Sequence, residues 1–229
     1  MENTFLTYYI TGDVNNKLKN TARTSCNFWN RYISPRHYIV TQLGTFDSPG
    51  FVIARAYQPF TFGSIRYGFV EFNEKYLITF DHYDIIGTLV HEMGHILGMG
   101  FGNWMDLFNH NDGSFKEYAI EAVPALQYMF VETDYGPGTE LSHWDERRFT
   151  TEIMTGIQDS KETVLPVTID VMSLLGHHVN YHLPYVMDFD HLISLVEGVQ
   201  FTRKDQAREL NKAHRQETKL HEEIIYTFH

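Results

Sequence analysis

Two histidines four residues apart, His91 and His95, with Glu92 directly after the first, form the pattern H-E-x-x-H. These residue types at this spacing can hold a metal ion and use it. On a helix, four residues at about 100° each return to within about 40° of the starting direction one turn on, so both imidazoles reach one ion. Glu92 falls to the side of that face, where its carboxylate can hold a water polarised by the metal and serve as general base. The chemistry indicated is hydrolysis of a peptide bond with zinc as cofactor. The same five residues would also fit an amphipathic helix carrying buried structural histidines. The surroundings favour the metal: Ile86, Leu89, Val90, Met93, Ile96 and Leu97 recur at helical spacing, and Gly98 provides a stop that turns the chain just beyond the second histidine.

Two protein ligands are too few for a catalytic zinc, which usually has three and a water. In the pattern H-E-x-x-H-x-x-G-x-x-H the third falls three residues after the glycine, a position occupied here by Phe101. A replacement stands further on, in Leu141-Ser142-His143-Trp144-Asp145-Glu146, followed by Glu152-Ile153-Met154-Thr155-Gly156. Through these residues the chain resembles the leishmanolysin-like zinc metallopeptidases, a branch of the metzincins. In that branch the third histidine is displaced by an insertion, stands before a tryptophan and is followed by a methionine-containing turn. The resemblance covers about residues 4 to 180. It implies His143 as third ligand and Met154 as the hydrophobic floor of the site, the Met-turn. It also implies an α+β fold: an N-terminal mixed sheet with a helix and the zinc helix over 1–98, and a smaller, mostly irregular and helical subdomain over 99–190. A charged helical extension would occupy 191–229.

Composition narrows the partners. A chain of 229 residues, 43% hydrophobic, can bury one sizeable domain or two packed subdomains, and its net charge of −11 opposes binding to nucleic acid or an anionic membrane. The single cysteine, Cys26, permits no intrachain disulfide. A thiolate could ligate zinc in a latent state, but Leu18, Ala22, Cys26, Trp29 and Ile33 share one helical face, which places Cys26 in a core. No basic-then-apolar leader and no apolar run of membrane-spanning length is present, in contrast to secreted or anchored leishmanolysins, so the expectation is synthesis in the cytoplasm.

The remaining chain supplies the scaffold. Strands are expected at 4–10, 37–43, 51–57 and 64–72, with a helix between the first two closed by Ser34-Pro35. By the resemblance, 65–72 would be the edge strand above the cleft, open to an extended peptide substrate by strand addition. A helical stripe over 113–130 is interrupted by Pro124, and the turn-rich stretch 133–139 should deliver His143. Pro166 and Gly176 bracket a further helix. His177, His178 and His182 lack an acidic or thiol partner at ligand spacing, so helix-end histidines are a better account of them than a second metal. From Thr202 a capping-box start opens a charged stretch with sparse apolar positions, either a solvated helix or an arm that docks to a larger assembly or a second copy.

Two functions fit these features. One is a zinc endopeptidase acting on protein or peptide. The other is a structural component of a virus particle or other large assembly that keeps a metzincin-like zinc site for folding.

Overall fold

The computed structural model describes residues 5–10 and 16–197. The charged stretch expected from Thr202 lies outside them. Strand β1 (Leu6–Ile10) is followed by helix α1 (Asn16–Tyr32), the two-residue strand β2 (Ile33–Ser34), and strands β3 (Tyr38–Phe46), β4 (Ala54–Phe62) and β5 (Ile65–Asn73). A short helix α2 (Glu74–Thr79) leads into α3 (His82–Leu97), which carries the H-E-x-x-H residues. The second half is built from short pieces: α4 (Glu117–Ala122), α5 (Glu146–Phe149), β6 (Thr163–Val164), α6 (Pro166–Asp170), β7 (His178–Val179), β8 (Met187–Asp188) and α7 (Phe189–Glu197), with 3₁₀ turns between. The class is α+β, with a mixed sheet.

The main sheet has the order β1-β3-β5-β4, with β1, β3 and β5 parallel and β4 antiparallel to β5. The side chains alternate as a strand requires: Ile39, Thr41 and Leu43 of β3 and Gly68, Val70 and Phe72 of β5 are buried while Val40, Gln42, Phe69 and Glu71 between them are less so. Helix α1 packs on β1 and on α3, and α3 packs on β4 and β5. A side chain at Gly68 would collide with Ile96, so glycine there lets α3 lie close against the sheet.

The edge of the sheet differs from expectation. Residues 65–72 are internal, flanked by β3 and β4, and the edge strands are β4 and, on the far side, β1. Alternation in a sequence reports which face of a strand is buried and says nothing of how many neighbours it has. The rim character of β4 lies elsewhere, in Pro59, beside the register shift between Tyr57 and Phe60, and in the exposed Phe60, Thr61 and Phe62. The third strand also starts three residues later than its β-rich composition suggested. Asn73 donates from Nδ2 to the carbonyls of Ser48 (3.1 Å) and Val52 (2.9 Å), tying 48–52 into a non-strand connection.

The helical stripe at 113–130 is split as Pro124 requires, into α4 and a 3₁₀ turn Pro124–Tyr128, with Ala119, Val123 and Leu126 in the core. Helix α7 runs across the boundary expected at 190/191 and returns to the first half, where Phe189 packs on Phe28 and Glu197 accepts from the Thr24 hydroxyl at 3.0 Å. No helix among the described residues is long and apolar enough to cross a membrane.

The three C-terminal histidines do not gather. His177 is buried, its Nε2–H donating to the Leu97 carbonyl (2.6 Å) and its Nδ1 accepting from the Arg36 amide (3.1 Å), whereas His182 pairs with Asp170 at the surface. Burial lowers the His177 pKa to about 4, with Arg66, His37 and Arg36 adding repulsion. A histidine held neutral in the fold contributes stability that is complete above its ordinary pKa of 6.5 and is lost as pH falls through about 4. The stability advantage of the wild type over His177→Gln, read from urea unfolding, should shrink by about 3 kcal/mol across that window. A constant difference would mean that His177 stays charged or exposed.

Candidate metal centre

Helix α3 owes its position to both of its ends. Asp81 caps it, accepting from the amides of Tyr83 (2.8 Å) and Asp84 (3.0 Å), while the Asp84 carboxylate accepts from the Asp81 amide (2.9 Å). This reciprocal cap is worth about 1 kcal/mol. At the other end Gly98, at φ 131°, donates to the carbonyls of Gly94 and His95, and Met99 also donates to Gly94. Every residue from Ile85 to Leu97 is buried, so the helix is the central rod of the molecule and its histidines are fixed in a dry interior.

His143 arrives from the second half of the chain. The backbone of Glu132 clamps its loop on both sides, with Glu132 N–H donating to the His143 carbonyl (2.9 Å) and Leu141 N–H donating to the Glu132 carbonyl (2.7 Å). Leu141 adopts φ 64°, a strained conformation at the point where the loop reverses toward the interior. Trp144 follows in the core, its indole donating to the Thr168 hydroxyl at 3.0 Å.

The three imidazoles converge. His91 Nε2 lies 3.0 Å from His95 Nε2 and 3.2 Å from His143 Nε2. The opposite nitrogen of each ring faces a backbone carbonyl: Ile153 for His91 (2.7 Å), Met99 for His95 (2.8 Å) and Thr139 for His143 (2.8 Å). A carbonyl can only accept, so each Nδ1 carries the proton and each Nε2 presents a lone pair. Three lone pairs facing one another make a ready ligand set for a cation. A cation at their common focus satisfies all three, and nitrogens bound tetrahedrally at about 2.0–2.1 Å would stand about 3.3 Å apart, close to the spacing seen. Contacts of this kind from Nδ1 to a carbonyl orient an imidazole and strengthen the basicity of its other nitrogen, as at known metal sites. Among the described residues this is the one cluster of His, Cys, Asp or Glu whose ligand atoms converge closely enough to hold an ion.

Electrostatics agree with that reading of the tautomers. Burial lowers the His91 pKa to about 4, and burial together with the neighbouring imidazoles holds His95 and His143 well below the usual histidine range. The rings are therefore neutral and able to ligate at physiological pH. Glu92 is fully buried beside them, and burial pushes its pKa well above the usual carboxylate range. Neither of its oxygens completes a hydrogen bond of good geometry, and the Ala56 backbone on β4 offsets the burial only in part. Ionising a buried carboxyl with so little hydrogen-bonding support is costly unless a positive charge stands nearby.

No protein-family model matches the chain, and no curated protein matches it. The site is therefore read from its own geometry.

Met154 lies directly beneath α3. A Cβ added at Gly94 would stand 2.7 Å from its sulfur, 2.8 Å from its methyl and 3.3 Å from the Trp29 ring, so the absence of a side chain between the two histidines is what admits the thioether. Its packing role predicts that Met154→Leu costs less than about 1.5 kcal/mol and leaves metal stoichiometry unchanged. Denaturation and metal analysis of the purified variant check both; loss of metal would make the sulfur a ligand. Phe101, at the position where a contiguous pattern would place a histidine, instead sets its ring edge-on to His95 with centroids 6.4 Å apart. Cys26 packs against Met93 at 3.8 Å, and burial raises its pKa to about 12, so it offers no thiolate to the site.

One residue had no role assigned from the sequence. Glu152 is buried two positions before Met154 and accepts from the Met154 amide (2.7 Å), the Thr168 hydroxyl (2.6 Å) and the Leu165 amide (3.3 Å). Its only sequence signal is a lone charged residue in the otherwise uncharged stretch Phe149 to Ile157.

Proposed function

We propose that the chain is a zinc-dependent endopeptidase of leishmanolysin-like, metzincin type, with His91, His95 and His143 holding the metal, Glu92 as general base, Met154 as the floor and Gly98 as the turn below the site. The observation that carries this reading is the convergence of three Nε2 lone pairs, each oriented by a carbonyl on its Nδ1, next to the buried carboxyl group of Glu92. An all-nitrogen set at this spacing suits zinc, which when bound supplies a Lewis acid that polarises a carbonyl and acidifies water. Glu92 then accepts a proton from the attacking water on a carboxylate oxygen and returns it to the leaving amine nitrogen. The edge strand β4, whose Ala56 backbone acts on Glu92, is where an extended peptide would align by strand addition.

Burial favours a second reading. His91, Glu92, His95 and His143 are all at most 1% exposed, as in a site that serves folding, so the same centre could stabilise a component of a virus particle or other assembly. Zinc-loaded protein offered a mixture of unstructured peptides separates the two. The endopeptidase reading expects cleavage at internal bonds, abolished by 1,10-phenanthroline and restored by added zinc. Stoichiometric zinc with no cleavage, and unfolding on chelation, would assign the site to structure.

A further inference from the structure

We infer that Glu152 is a positioning residue for the metal centre, its carboxylate joining the two segments that orient His91 and His143. The inference rests on the metal-binding reading above. Two hydrogen-bonded routes leave this one buried side chain. On one oxygen it accepts the Met154 amide at 2.7 Å, which fixes the turn whose Ile153 carbonyl receives the His91 Nδ1 proton at 2.7 Å. On the other it accepts the Thr168 hydroxyl at 2.6 Å and the Leu165 amide at 3.3 Å. The Thr168 oxygen in turn accepts from the indole of Trp144, the residue next to His143 and itself tied to the turn by its amide, which donates to the Met154 carbonyl at 3.1 Å. Thus the supports of one ligand from α3 and of the ligand from the distant loop meet at a single carboxylate.

The arrangement calls for a side chain with an acceptor on each of two oxygens, which a carboxyl group still offers although burial raises the Glu152 pKa to about 7. Met154 N–H and Leu165 N–H can only donate, and the Thr168 hydroxyl spends its proton on Glu152 because its oxygen serves Trp144. Glutamine has the same shape but would set an amide N–H against one of these donors. A turn displaced by a few tenths of an ångström carries the Ile153 carbonyl with it, and with that the tilt of the His91 ring. Outer hydrogen bonds of this kind set metal affinity through ligand orientation.

The test compares Glu152→Gln and Thr168→Val with the wild type in the full chain, using zinc affinity by chelator competition, the visible d–d spectrum of the cobalt(II)-loaded protein and urea unfolding. Leu126→Ala, in the core of the same half, is the control for loss of stability alone. Glu152→Gln is expected to weaken zinc by about 10–100-fold and to shift the cobalt bands, and Thr168→Val to act in the same direction by about threefold or more. Leu126→Ala should lower the urea midpoint while leaving zinc affinity and the cobalt spectrum as in the wild type. If Glu152→Gln behaves like Leu126→Ala, its role is structural and the inference is overturned. If Glu152→Gln fails to fold, Thr168→Val decides alone, with an unchanged cobalt spectrum counting against the inference. A wild type that binds neither zinc nor cobalt would remove the metal-binding reading itself, a result distinct from any of these.

Discussion

Glu92→Gln is expected to retain zinc and to lose peptide hydrolysis by about 10²–10⁴-fold, the usual contribution of a general base. The amide keeps the volume of a side chain that is completely buried, so packing is preserved, and Glu92 is not in the ligand set, so the three converging nitrogens are preserved. What is lost is an oxygen able to take a proton. In the metal-free protein burial keeps that carboxyl protonated well above the usual range, and a dication at the three imidazoles would favour the ionised form needed for catalysis. Cleavage of a defined peptide at equal zinc occupancy measures the effect. Equal turnover by the two proteins would take Glu92 out of the mechanism.

His143→Ala should have the larger effect on the metal itself, weakening zinc by more than about 100-fold, beyond what loss of an outer contact costs. Removing this ring leaves two nitrogens from one helix and no ligand from the second half of the chain. Chelator competition reads the loss directly. The variant also leaves the Thr139 carbonyl without its imidazole donor and opens space in a packed interior, so its urea midpoint should fall even without metal. Zinc affinity within threefold of the wild type would show that His143 is a core histidine and that the third ligand lies elsewhere.

The parts of this account that could be read from the sequence are those set by local spacing. The His91–His95 pair and the side position of Glu92 follow from helical geometry, and the burial of Cys26 follows from the face it shares with Leu18, Ala22 and Trp29. His143 stands 52 residues from the helix ligand it approaches, and no periodicity links them; only the motif around His143-Trp144 and Met154 suggested the pairing. The edge position that the resemblance implies for 65–72 belongs instead to β4, because strand neighbours are set by tertiary pairing, which the sequence of a single strand does not encode. Glu152 went unassigned for the same reason. Its partners Leu165 and Thr168 lie on a different segment, and a glutamate in a turn ordinarily faces water. Gly94 could be read only as the variable residue of a motif, and its purpose became visible when Met154 was found filling the space it leaves.

X-ray absorption at the zinc K-edge, on protein purified with zinc and analysed for metal content, decides whether the three imidazoles hold the ion. One zinc per chain is expected, with three imidazole nitrogens at about 2.0–2.1 Å and one further light atom, no sulfur, and an imidazole contribution reduced in His143→Ala. A first shell containing sulfur, a shell without imidazole, or protein that retains no zinc would contradict it.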